Sequence, residues 1–341
     1  MIWRPSFGRD LLALCALSFG AWGGATAFAD SASSNAIPTV IVVVGAPGEE
    51  EFATRFNDWG AQWEKAARTG GAKWIPIGFG KDAQTNEAEQ LTQALKSETK
   101  TGLAELWVVL LGHGTFDGKE AKFNLRGPDL SSVDLGKILE PFQRPTAVVA
   151  AFAASAPFLN KLSGRGRVVI TSTRSGHEQN YSRFGEYISR AIADPEADLD
   201  KDGQTSLLEA YLMAARRLTE FYETEGRLAT EHPLLDDNGD GLGTPPDWFR
   251  GVRAVKKAKE GGQLDGLRAH QFQLVRNDVE QSLSPEARAK RDELELALGK
   301  LRESKTTVNE DEYYQKLEAI FVEITRLYDS VSATNRAAGP R

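Results

Sequence analysis

The chain has 341 residues, with 41 Lys and Arg against 48 Asp and Glu, a formal net charge of −7 and a single cysteine. That length holds one sizeable core with an appendage. The acidic balance argues against non-specific nucleic-acid binding, and one thiol excludes an internal disulfide.

Residues 1–29 read as a signal peptide. Arg4 and Arg9 form a basic start, an apolar run follows from Leu11 to about Phe19, and Ala27-Phe28-Ala29 suits cleavage before Asp30. Gly20, Gly23 and Gly24 interrupt the apolar run, which argues against a membrane anchor. The expectation is an exported chain, secreted or periplasmic, with no membrane segment after cleavage. Cys15 lies inside this segment, behind a Leu14 that does not suit a lipid-attachment box, so the mature chain carries no thiol. Loss of Arg4, Arg9 and Asp10 takes the charge from −7 to −8, two positives and one negative being removed.

Residues 30–38 read as a linker and 39–195 as an α/β domain. Thr39-Val40-Ile41-Val42-Val43-Val44 is a continuous β-branched run, the pattern of a strand buried on both faces of a parallel sheet. Phe52, Phe56, Trp59 and Trp63 recur at helical spacing. Lys73 to Ile77 reads as a short strand, 86–97 as a helix, and 104–111, 146–151 and Arg167 to Thr171 as three further strands. This alternation predicts a three-layer α/β fold with a mostly parallel sheet. In such sheets ligands bind at the carboxyl ends of the strands. That rule gathers His113, the 153–155 segment and the segment from Arg174 to Tyr181 at one edge.

From 196 to 250 the chain reads as a helical region holding two acidic loops. Asp198, Asp200, Asp202, Gly203 and Glu209 match every fixed position of the D-x-[DN]-x-[DN]-G-x5-E calcium loop. The first three supply side-chain oxygens, Gly203 permits the sharp turn, Gln204 offers its carbonyl and Glu209 closes the site. Thr205 stands where an apolar residue is usual, and Pro195 breaks the incoming helix. Ser206 and Glu209 also fit a capping box, which explains that pair without a metal. In the second loop Asp236, Asn238, Asp240 and Gly241 fit the same positions, and Asp247 falls at the twelfth. There Pro245 and Pro246 forbid an ordinary exiting helix. A solvated turn competes with a second Ca²⁺ site in this loop.

Residues 251–282 form a basic connecting segment with no assigned role, and 283–335 read as a C-terminal helical hairpin or coiled coil. Ser284-Pro285 suits a helix start and Thr307 to Glu310 a capping box. Tyr313, Leu317, Ile320, Ile324, Leu327 and Val331 form a heptad seam, widened by Tyr314, Phe321 and Tyr328. The seam serves either the hairpin itself or a homodimer.

Over about 39–192 the chain resembles the legumain-like branch of the caspase-like cysteine peptidases. The resemblance rests on His113-Gly114 after an apolar strand, Ala153-Ala154-Ser155-Ala156 where the family has Cys-x-Ser-Gly, and Thr171-Ser172-Thr173 followed by Glu178. It implies a caspase-like fold, with His113 as the dyad histidine and Gly114 as the oxyanion amide. Ala153 stands at the position of the lost nucleophile. Thiolate attack needs a sulfur beside a base, and alanine has none. Ser155 is the alternative nucleophile, and His177 a loop histidine near the same edge. Together these features predict a calcium-binding pseudo-peptidase that binds a peptide or protein partner at the former active-site edge. The alternatives are a hydrolase using His113 and Ser155, and an assembly scaffold built on the C-terminal helices.

Overall fold

The structure, a computed structural model, describes residues 37–80 and 86–337. The signal-peptide reading of 1–29 lies outside the described residues, as do most of the 30–38 linker and the side chain of Val331. The described residues form one compact unit.

A six-stranded sheet organises that unit. Its strands are β1 (Thr39–Val44), β2 (Lys73–Ile77), β3 (Leu106–Leu111), β7 (Thr146–Ala151), β8 (Arg167–Thr171) and β9 (Leu234–Asp236), in the order β2-β1-β3-β7-β8-β9. The first five run parallel and β9 runs antiparallel to β8. The predicted third strand starts two residues later than 104, at Leu106, because Leu106 pairs with Thr39 and Thr146 at the start of the ladder. A small antiparallel sheet, β4 (Gly114–Phe116), β5 (Ala121–Phe123) and β6 (Leu130–Ser131), follows β3.

Strand residues alternate between two cores. Val40, Val42, Trp107, Val109, Val149 and Ile170 face helices α1 (Glu50–Thr69), α5 (Phe184–Ala191) and α6 (Leu207–Thr224). Ile41, Val43, Val108, Leu110, Val148 and Val169 face α2 (Glu87–Ser97), α3 (Ser132–Leu139) and α4 (Ala156–Leu162). With both faces covered, β1, β3 and β7 are buried along their whole length, which is why their sequences are apolar without alternation. This is the expected three-layer α/β fold with a mostly parallel sheet. The helix after the first acidic loop, α6, belongs to the same core as the sheet, and so do Phe272 and Leu274.

The tail forms the expected hairpin. Helix α7 (Leu267–His270) and α8 (Asp278–Ser282) lead into α9 (Pro285–Glu303) and α10 (Glu310–Ala337), and the last two pack on each other. Ser284 caps α9 by accepting from the Ala287 amide. The capping box expected at Thr307 is not made. Asn309 takes that role, accepting from the Asp311 and Glu312 amides, while the Thr307 hydroxyl turns back to the Ser304 carbonyl. A 3-10 turn over Ser304–Thr306 places Asn309, and not Thr307, at the mouth of the helix. Among the described residues no helix is long and apolar enough to cross a membrane.

Candidate functional site

The three expected strand ends do meet. Gly114 opens β4 directly after His113, and a Cβ added to it would lie 2.3 Å from the Ala153 carbonyl oxygen and 2.4 Å from the Phe152 ring. Only glycine allows the end of β3 to approach the end of β7 this closely. From the end of β8, the Glu178 carbonyl accepts from the Ala154 amide at 2.8 Å. Ala154 adopts a left-handed backbone (φ 58°), a costly conformation for alanine. The loop after β7 therefore keeps a strained shape at Ala154.

His113 sits in an aromatic cage. Its ring centroid lies 4.8 Å from Phe52, 5.0 Å from Phe56 and 6.1 Å from Tyr181. Nε2 is 3.2 Å from the Pro47 carbonyl, which only accepts, so Nε2 carries the proton and Nδ1 the lone pair. Burial lowers its pKa, against the Pro47 bond and nearby Glu49, which keeps the ring neutral at neutral pH. A neutral imidazole is the form a base requires, and the next residue, Gly114, lies against the backbone of Ala153.

Ser155 does not replace the thiol. It is fully buried, its Oγ accepts from the Ser172 amide at 3.0 Å, and it lies 3.3 Å from the Thr173 hydroxyl. The alternative nucleophile is thus a buried hydroxyl tied to β8. His177 is exposed, as expected, with its ring 5.2 Å from Phe116. A second histidine was not legible in the sequence. His232 Nδ1 lies 2.6 Å from Glu178, whose carboxylate also accepts from the Arg174 and His232 amides. Separated by 54 residues, the pair is joined only by the fold.

The first acidic loop spans the gap between α5 and α6, with a 3-10 turn at Pro195–Ala197 on its incoming side. Asp198 accepts from the Lys201 and Gly203 amides, Asp200 from the Asp202 amide and Asp202 from the Gln204 amide. Gly203 takes φ 88°, which supplies the turn expected at the sixth position. Ligand atoms of Asp198, Asp200 and Asp202 lie within 4.8 Å of one another, and so do those of Asp200, Glu209 and His270. Among the described residues these are the two clusters of His, Asp or Glu compact enough to share an ion. The donors are almost all oxygens, which suits a hard cation such as Ca²⁺.

Glu209 is 1% exposed and does two jobs. One oxygen accepts from the Leu199 and Asp200 amides across the loop, and the other accepts from the Ser206 amide and hydroxyl. The capping box is therefore real, and the same carboxylate also reaches the loop. Thr205, the unusual eighth residue, is buried and donates to the Asp194 carbonyl at 2.9 Å.

Residues 270–277 reach the loop through several hydrogen bonds, although Asp200 and Asp202 stay exposed. His270 Nε2 is 3.0 Å from Asp200, and the Asn277 amide donates to the Gln204 side chain. Asn277 Nδ2 donates to the Asp202 carbonyl, and Ser206 bridges to Gln273.

The second acidic loop closes on itself. Asp236 accepts from the Gly239 and Gly241 amides, Asn238 from the Asp240 amide, and Asp240 from the Leu242 and Gly262 amides. Asp247 sits exposed on a 3-10 turn, and no compact group of acids forms from Asp236, Asp240 and Asp247. The carboxylate that does complete the loop is Asp265, which accepts from the Asp237 and Asn238 amides and the Thr244 hydroxyl.

No family model and no curated protein matches the chain. Among solved structures it is similar to the Drosophila initiator caspase Dronc, at 15% identity and a TM-score of 0.35, over 60% of this chain and 80% of that one. It is also similar to a protein from Geobacter sulfurreducens, at 10% identity and a TM-score of 0.38, over 58% of this chain and 92% of that one. Likeness at this level adds nothing to what the sheet itself displays.

Proposed function

We propose that this chain is an exported calcium-binding pseudo-peptidase on a caspase-like, legumain-type scaffold, with a peptide or protein partner docking at the edge near His113. The observation that carries the calcium reading is the convergence of Asp198, Asp200 and Asp202 between two packed helices. Their side chains, with Glu209 and the Gln204 carbonyl, would hold the ion, which would neutralise the crowded carboxylates and tie α5 to α6. The second loop retains no comparable support, since among the described residues its carboxylates form no compact group of three.

Ala153 at the nucleophile position and the burial of Ser155 support the reading of proteolytic silence. Residual hydrolysis by donors alone is small when a nucleophile is missing. Calorimetric titration with Ca²⁺ tests the first half: binding to the wild type that disappears in Asp200→Ala is expected, and heat-silent wild type sinks the reading. Ala153→Cys, assayed on peptides with and without Ca²⁺, tests the second. Gained cleavage means the cage around His113 still serves a dyad. Cleavage by the wild type itself contradicts the proposal.

A further inference from the structure

A cleft of about 450 Å³ opens at the end of the sheet opposite His113. It lies beside the amino ends of β7 and β8, between the last turns of α3 and α4. Lys137 of α3, Lys161 of α4, Arg165 of the following loop and Arg167 of β8 line it, with Glu140 as the one acidic side chain and Phe142 as an apolar wall. Four cations from four separate elements converge there, on a chain whose net charge is −7.

Those cations are poorly compensated. Lys137 meets Asp134 at 3.2 Å on the surface. Among the described residues Lys161, Arg165 and Arg167 have no carboxylate partner. Arg167 is the informative one. It is partly buried, and its guanidinium donates to two carbonyls, Leu162 at 2.7 Å and Leu139 at 2.8 Å. Burial pushes its pKa down, with no carboxylate acting against it. Those carbonyls end α4 and α3, so the guanidinium closes two helix C-termini that would otherwise repel an anion. Two of its five N–H groups are used this way, which leaves three donors without a protein acceptor on a residue that lines the cleft. A guanidinium flanked by ammonium groups is the arrangement that takes phosphate oxygens in pairs. The volume is in the range of small-molecule sites.

We infer that this cleft binds a small phosphate-bearing ligand, held by Arg167, Arg165 and Lys161. It is independent of the calcium loop and of the edge near His113, and it stands or falls without them.

The test is calorimetric titration of the full chain with sodium pyrophosphate and, separately, with glycerol phosphate, at ionic strength matched by chloride. Phosphatidylglycerol vesicles form a third arm. Saturable binding of a soluble phosphate is expected, weakened at least about tenfold in Lys161→Glu/Arg165→Glu. Neither of these residues closes a helix, so the double variant should keep the wild-type circular dichroism and melting temperature. Arg167→Lys, which keeps the charge but loses the fork, should bind more weakly than wild type if it retains that same spectrum. Absence of saturable binding by the wild type, equal binding by the double variant, or binding to vesicles alone would each overturn the inference.

Discussion

Gly114 shows how one residue can carry a site. Its missing side chain lets the ends of β3 and β7 touch, with the Ala153 carbonyl 2.3 Å from where a Cβ would stand. Gly114→Ala must push backbone against backbone, so a loss of about 1–3 kcal/mol is expected in urea unfolding. An unchanged midpoint would mean the strand ends are further apart than described. Ala153 is different: it is small and buried, and its meaning lies in what it lacks. The His113 end of the motif was legible because an apolar run ending in His-Gly reads locally. The partners Glu178 and His232 were not linked in the reading, because their contact spans 54 residues and leaves no periodic signal.

At the scale of elements, the start of α6 joins two explanations that sequence alone could only set side by side. Ser206 and Glu209 form the capping box, and Glu209 also receives amides from Leu199 and Asp200. The two roles separate by mutation. Ser206→Ala should cost about 1 kcal/mol whether or not Ca²⁺ is present, as loss of a cap does. Asp200→Ala should instead remove the calcium-dependent part of the melting temperature, which mass action sets at about 2.7 kcal/mol when free ion is a hundredfold above Kd. Thermal melts of both variants with Ca²⁺ and with chelator distinguish the outcomes. If Ser206→Ala also abolishes the calcium shift, the cap and the cation site are one device.

For the whole molecule, the decisive contacts come from the segment after 250, which had looked like a connector. Asp265 folds back under the second acidic loop, and beside Asp237 it is pushed up to about 8 by burial and by that neighbouring carboxylate. The fold therefore favours its protonated form. That stability is complete below the ordinary carboxylate pKa and is lost as pH rises through the folded value. In chelator, unfolding free energy should fall by on the order of 2 kcal/mol between about pH 5 and pH 9, and Asp265→Asn should flatten that slope. A wild-type profile already flat over this range would contradict the burial of the pair. The C-terminal hairpin is likewise attached to the body. Arg291 pairs with Glu280, and Gly299 lies against Leu267, where an added Cβ would stand 2.2 Å from its side chain. A chain ending at Leu283 should melt lower while keeping a monomer mass in light scattering. A halved mass on truncation would show instead that the heptad seam holds two copies together.

The sequence by itself determined the strands and most helices of the α/β layers, the acidic loop and the alanine at position 153, because each is written in neighbouring residues. Period, run length and loop spacing are local quantities. Only the tertiary structure decided that Ser155 is buried, that 270–277 reaches the first loop, that Asp265 rather than Asp247 completes the second, and that four cations meet in one cleft. Each of those depends on which distant surfaces the folded core brings together, and burying apolar area constrains that pairing without leaving a repeat in the chain.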